Sequence, residues 1–175
     1  MRVLVAVASL IALAACGGSS TKTTSAGSMR VKTTSADVSS LARHGTYSHA
    51  VAEHAPEGFA AGALRPDVLE MAQRDVDAEM QRRGYVSAEN GELVIRLSSG
   101  TRIVEDQPTG AAAAVGAPET KEKEGELVID IFERASGKQL FHGFARDVLR
   151  RDTVDEGKIA KAVTKILERV PARVP

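Results

Sequence analysis

Two stretches of the chain alternate between strongly apolar positions and others. Leu93, Ile95 and Leu97 alternate with Val94, Arg96 and Ser98, and Leu127, Ile129 and Ile131 alternate with Val128, Asp130 and Phe132. A period of two puts each set on one face of a pleated strand, so both stretches read as half-buried strands. Such a chain must fold around a sheet with one covered face, and the cover has to come from elsewhere in the sequence.

Two helical patterns supply it. Pro66 suits the first turn of a helix, with Asp67 and Glu70 near the positive end of its dipole. Leu69, Ala72, Val76 and Met80 then recur at steps of three and four, and Gly84 follows Arg82 and Arg83 as a left-handed stop. Further on, Thr153-x-x-Glu156 reads as a capping box, and Ile159, Val163, Ile166, Leu167 and Val170 form the stripe of a last helix ending before Pro171.

Three more strands fit the remaining pattern. Met29 to Thr33 and Thr46 to Val51 are strand candidates, and Ser136-Gly137 turns the chain into a strand over 139–146. A three-residue turn with Gly137 left-handed places Phe141 on the face of Ile131, whereas a two-residue turn would place His142 there. The first arrangement is expected. Residues 105–125 (EDQPTGAAAAVGAPETKEKEG) read as a long mobile loop, which inside a compact domain is either functional or disordered. The expected fold is an α/β two-layer sandwich, a largely antiparallel sheet with both helices on one face, in the order β-β-α-β-β-β-α.

The start of the chain carries an address. Met1 and Arg2 precede an apolar run over Val3 to Leu13, and Ala14 and Ala15 offer a cleavage point before Cys16. The run is too short for a helix across a hydrocarbon core of ~30 Å. Leu13-Ala14-Ala15-Cys16 resembles the bacterial lipobox: small side chains precede the cut, and the sole cysteine provides the thiol for a thioether to diacylglycerol. Residues 1–15 are thus expected to be a signal peptide, with a lipidated Cys16, a flexible tether through 28, and a single domain over 29–175. Several acyl chains make a stable anchor. Gly17 in place of an aspartate favours the outer membrane, facing the periplasm.

Composition narrows the function classes. Twenty-three basic residues balance twenty-three acidic ones, which argues against a nucleic-acid partner. With Cys16 lipidated no intrachain disulfide remains, and without tryptophan the core must be aliphatic.

Three blocks resemble the bacterial lipoproteins of domain-of-unknown-function family 4136. They are Leu41 to Tyr47, the E-M-Q-R-R-G-Y ending at Tyr85, and G-E-L-V-I-D-I-F-E-R-A-S-G-K-Q-L-F-H-G-F-A over 125–145. Phe141 stands where the family pattern has tryptophan. The resemblance spans Met29 to Pro171 and implies an anchored envelope protein with no established reaction.

No cofactor, metal or catalytic constellation is expected. His44, His49 and His54 recur every five residues, a step that scatters ligands on a helix and alternates faces on a strand. Ser48 and His49 are neighbours pointing opposite ways, and no G-x-S-x-G elbow occurs. The candidate binding face is Val94, Arg96, Val128, Asp130 and Phe132, away from the helices. It reads either as a solvated face with an Asp130–Arg96 ion pair of ~0.2–1 kcal/mol, or as a surface for an envelope protein or lipid partner with 105–125 as a lid. The alternative is a hydrolase or lipid-handling site formed only in the fold, for example from His49, His142 and Asp130.

Overall fold

The computed structural model describes residues 22–26, 29–35, 38–50, 54–60, 66–106, 120–149 and 155–173. The expected signal peptide, residues 1–15, and Cys16 lie outside the described residues.

The alternating runs do form the sheet's centre. β5 (Leu93–Asp106) and β6 (Thr120–Glu133) are antiparallel with Ile95 opposite Ile131 and Leu97 opposite Ile129. β7 (Gln139–Val148) pairs with β6 on its other side, and β2 (Met29–Ser35) pairs with β7. β3 (Thr46–Ala50) runs parallel to β5 and to the two-residue β4 (Val86–Ser87). With β1 (Lys22–Ala26) the sheet has, among the described residues, seven strands in the order β1-β2-β7-β6-β5-β3-β4. A short helix α1 (Val38–Leu41), which the sequence pattern did not announce, links β2 to β3 and buries Leu41.

α2 (Pro66–Arg82) and α3 (Glu156–Leu167) cover one face. α2 lies over β5, α3 over β2 and β7, and the two helices pack together. Ala72, Val76 and Met80 meet Ile159, Val163 and Ile166 above Ile95, Ile129, Ile131 and Phe141. Gly84 takes the left-handed conformation (φ +87°), and the Tyr85 and Gly84 amides donate to the carbonyls of Met80 (3.0 Å) and Gln81 (2.9 Å), satisfying the helix end. The segment after α3 is tied to the same place: the Arg173 amide donates to the Arg83 carbonyl at 2.8 Å. The two-layer sandwich read from the pattern is the fold observed.

Four local expectations need correction. Part of the expected tether, Lys22–Ala26, pairs with β2 from Met29 to Thr33 as an edge strand. Asp155 caps α3, its carboxylate accepting from the Lys158 amide at 3.1 Å; an aspartate there caps as well as Thr153, which lies outside the described residues. The stretch expected as a loop over 105–125 is strand at both ends. β5 runs on to Asp106 and β6 begins at Thr120, with Lys121 and Glu105 paired at 3.1 Å across them. The charges that suggested a loop are cross-strand partners, and 107–119 lie outside the described residues.

The hairpin reaches the expected phase by another route. Gly137 is left-handed (φ +67°), but the Glu133 amide donates to the Lys138 carbonyl, closing a four-residue loop. A bulge then sets Phe132 opposite Gln139 and Ile131 opposite Phe141. The extra residue, Leu140, restores Phe141 to the covered face and is itself buried.

Candidate functional site

The open face carries the even-numbered positions of β5 and β6 and, past the bulge, of β7. Its central row runs Arg96, Asp130, His142 across the three strands; the next runs Ser98, Val128, Phe144. Segment 54–60 folds over this face. Its Phe59 amide donates to the Pro56 carbonyl at 3.0 Å, and Gly58 is left-handed (φ +80°). The segment seats on Gly100, where a Cβ would fall 2.7 Å from Phe59 Cβ and 3.2 Å from Pro56 Cδ. Glycine is what lets this roof touch the sheet.

Roof and sheet enclose a cleft of about 460 Å³. Val128 and Phe144 line it with Arg96, Asp130, His142 and Arg146 from the strands, and with His54 and Glu57 from the roof. Phe59 is only 9% exposed, with the Arg102 and Arg146 guanidinium carbons 4.9 and 5.7 Å from its ring centroid. These contacts add cation–π attraction, ~0.5–1 kcal/mol each, to the burial.

Two buried glutamates hold the arginines. Glu124 accepts from Arg30 (2.6 Å) and from Arg102 (2.7 and 2.9 Å), and Glu126 binds Arg146. Burial pushes the Glu124 carboxyl up, but the hydrogen bonds from Arg102 and Arg30 outweigh it and hold the group below its ordinary range. The Glu124 carboxylate therefore stays charged at neutral pH.

Of the five residues expected on the binding face, all lie on it, but only Arg96, Val128 and Asp130 line the cleft. Val94 and Phe132 are paired opposite each other beyond it. The expected Asp130–Arg96 ion pair is not formed. Asp130 Oδ1 accepts from Gln139 Nε2 at 2.6 Å and lies 2.7 Å from His142 Nδ1, while Arg96 sits 4.9 Å above the Phe132 ring. The bulge brings Gln139 and His142 of β7 to the carboxylate, and the guanidinium takes the aromatic face. The roof residues were missed because Gly100, the cue to a close approach on that face, has no partner recognisable in sequence.

His142 responds to this setting. The hydrogen bond to Asp130 raises its pKa above the usual 6.5, against the opposing effect of burial, with the negative charges of Asp130 and Glu126 adding to the rise. A raised folded-state pKa gives stability that is complete below the unfolded pKa of ~6.5 and is lost as pH rises through the folded value. His142→Asn should therefore cost more stability at pH 5.5 than at pH 8.5 in paired urea titrations; equal losses would count against the Asp130 contact.

The histidine trio separates. His44 lies 3.4 Å from Glu133, His49 Nε2 lies 2.7 Å from Asp77 of α2, and His54 is on the roof. Tyr47, whose hydroxyl donates to Asp77 at 2.8 Å, sits beneath α2 beside His49; burial, reinforced by Asp77, pushes its pKa well up. His49 is thus on the covered face, and Asp130 and His142 on the open one, so the site expected from these three residues is not assembled. Ser48 points the other way, its hydroxyl accepting from Arg134 at 2.5 Å. Ser98 shares the cleft with His142 but is two strands away, about 10 Å by the usual strand spacing.

A family model described as "Domain of unknown function (DUF4136)" matches residues 63–172. The match holds the blocks ending at Tyr85 and Ala145, whereas Leu41 to Tyr47 lie ahead of it. No curated protein matches the chain. Among solved structures, the PelC dodecamer from Paraburkholderia phytofirmans aligns with a TM-score of 0.51 at 15% identity, over 83% of this chain and 99% of that one. A point variant of it gives 0.52 with the same identity and coverage. A PDZ domain protein from Parabacteroides distasonis gives 0.48 at 10% identity, over 76% of this chain and 33% of that one. At these identities the likeness to PelC concerns the fold alone.

Proposed function

The chain belongs to the DUF4136 family, and from that footing we propose that it is a lipid-anchored protein of the bacterial cell envelope, a non-enzymatic module that binds through its open sheet face. The observation that carries this reading is the roofed cleft of about 460 Å³ on the sheet face that, among the described residues, no helix covers. Glu126 holds Arg146 and Asp130 is bonded to His142, while Arg96 rests on Phe132; with Val128 and Phe144 beside them this mixed lining suits a partner that brings both polar and apolar groups.

Cys16, cleaved after Ala15, supplies the anchor, and the outer membrane facing the periplasm is the proposed location. The partner is an envelope protein or lipid. PelC is a dodecamer by its description, and we carry self-association to this chain as part of the proposal.

Photo-crosslinking in cells tests the face directly. The exposed Arg96 is the better probe position, since Val128 is only 4% exposed on the cleft floor. A discrete adduct from position 96, absent from the exposed Lys161 on the helical side, is the expected result. Folded, membrane-bound protein giving no adduct at 96 would remove the reading. Cys16→Ala should in parallel move the protein out of the membrane fraction.

A further inference from the structure

β5 and β6 outrun the rest of the sheet. β3 pairs with β5 only as far as Arg96, and β7 pairs with β6 only from Glu124 onward. Residues 103–106 and 120–123 therefore form a two-stranded ribbon, and among the described residues no strand pairs with the outer edge of β5 beyond Arg96. Such a ribbon is marginal in water by itself, and an unpaired edge is a template for another strand.

Protective charges, prolines or bulges usually guard such an edge. Here the middle of the edge is Ile103, 62% exposed, beside Val104, 36% exposed. Apart from Val86 on β4, these are the exposed large hydrophobics among the described residues.

The sequence of the edge fits its own copy. Antiparallel pairing centred on Ile103 sets Ile103 against Ile103, Arg102 against Val104 and Thr101 against Glu105. Opposite residues then share a face, as an antiparallel ladder requires, and no charge meets its like. An edge closed on itself about a twofold axis is an isologous contact, which satisfies both copies at once.

We propose that the β5 edge over 101–105 joins this chain to a second copy of itself, in an antiparallel pairing centred on Ile103. The proposal rests on the self-association reading above and assigns it a surface. It is independent of what occupies the cleft.

The test uses the full lipidated chain purified in detergent, with native mass spectrometry over a wide concentration range. Ile103→Lys with Val104→Glu should weaken self-association at least roughly tenfold while leaving circular dichroism unchanged. Ile103→Cys should in addition form an intermolecular disulfide on oxidation, because opposed residues in an antiparallel pair lie within ~4.5–5.5 Å. Self-association that survives the double substitution, without a disulfide at 103, would overturn the assigned surface and leave self-association standing. A monomeric parent chain would overturn both.

Discussion

Phe141→Ala should lower the unfolding free energy by about 3–5 kcal/mol, among the largest effects of any single truncation in this domain. Phe141 is 1% exposed and stands opposite Ile131 just past the bulge that corrects the hairpin's phase. Its ring also lies about where α3 comes down on the sheet: a Cβ at Gly143 would fall 2.5 Å from Ile166 Cγ2 and 3.0 Å from the Phe141 ring. Strand, bulge and helix therefore share one buried surface, which cannot collapse around an alanine without moving α3. For a domain of this size the loss corresponds to a fall in midpoint temperature on the order of 10 °C. Urea titration should show the lower midpoint with an unchanged slope. A loss below about 1 kcal/mol would mean that the ring is not the junction of the two layers.

That junction also marks how far the sequence could be read. The alternation of Leu93 to Ser98 and of Leu127 to Phe132, and the stripes of both helices, required nothing beyond a local period, and each appears with the face it implied. Phe141 was assigned to the right face, yet the loop before it has four residues and a bulge rather than three residues. Loop length and bulge are set jointly by the pairing of β6 with β7, a non-local fact. The ends of β5 and β6 were hidden for a related reason. Glu105, Lys121 and Glu124 look like solvated loop charges until their partners are known, and Glu124 finds Arg30 some ninety residues earlier in the chain.

The same limit governs the site. Arg96 and Asp130 were placed on the open face by alternation alone, and the register confirms them as direct neighbours. Whom they bind depended on β7: His142 and Gln139 reach Asp130 first, and Arg96 turns to Phe132. The roof over 54–60 could not be inferred at all, because its contact with β5 is made by an absent side chain. Gly100 carries no positive φ, so its glycine is required by space and not by backbone conformation.

Gly100→Val turns that spatial argument into the second large effect. The strand backbone accepts valine readily, so β5 and its pairing with β6 should persist. The new Cβ falls 2.7 Å from Phe59 Cβ, closer than packed carbons approach, and relief requires the roof to lift. Lifting exposes Phe59, breaks its stacking with Arg102 and Arg146, and opens the cleft on that side. The overpacking should cost about 1–3 kcal/mol. Adduct yield from position 96 should fall roughly tenfold if the roof contributes about 1.4 kcal/mol to partner binding. Phe59→Gly separates the two causes, since it removes the obstructing Cβ together with the ring while leaving the sheet intact. In that background Gly100→Val should cost much less than it does alone, a coupling that a double-mutant cycle reads directly. Additive losses, or an unchanged adduct yield with the valine in place, would show that the roof neither rests on Gly100 nor shapes the binding face.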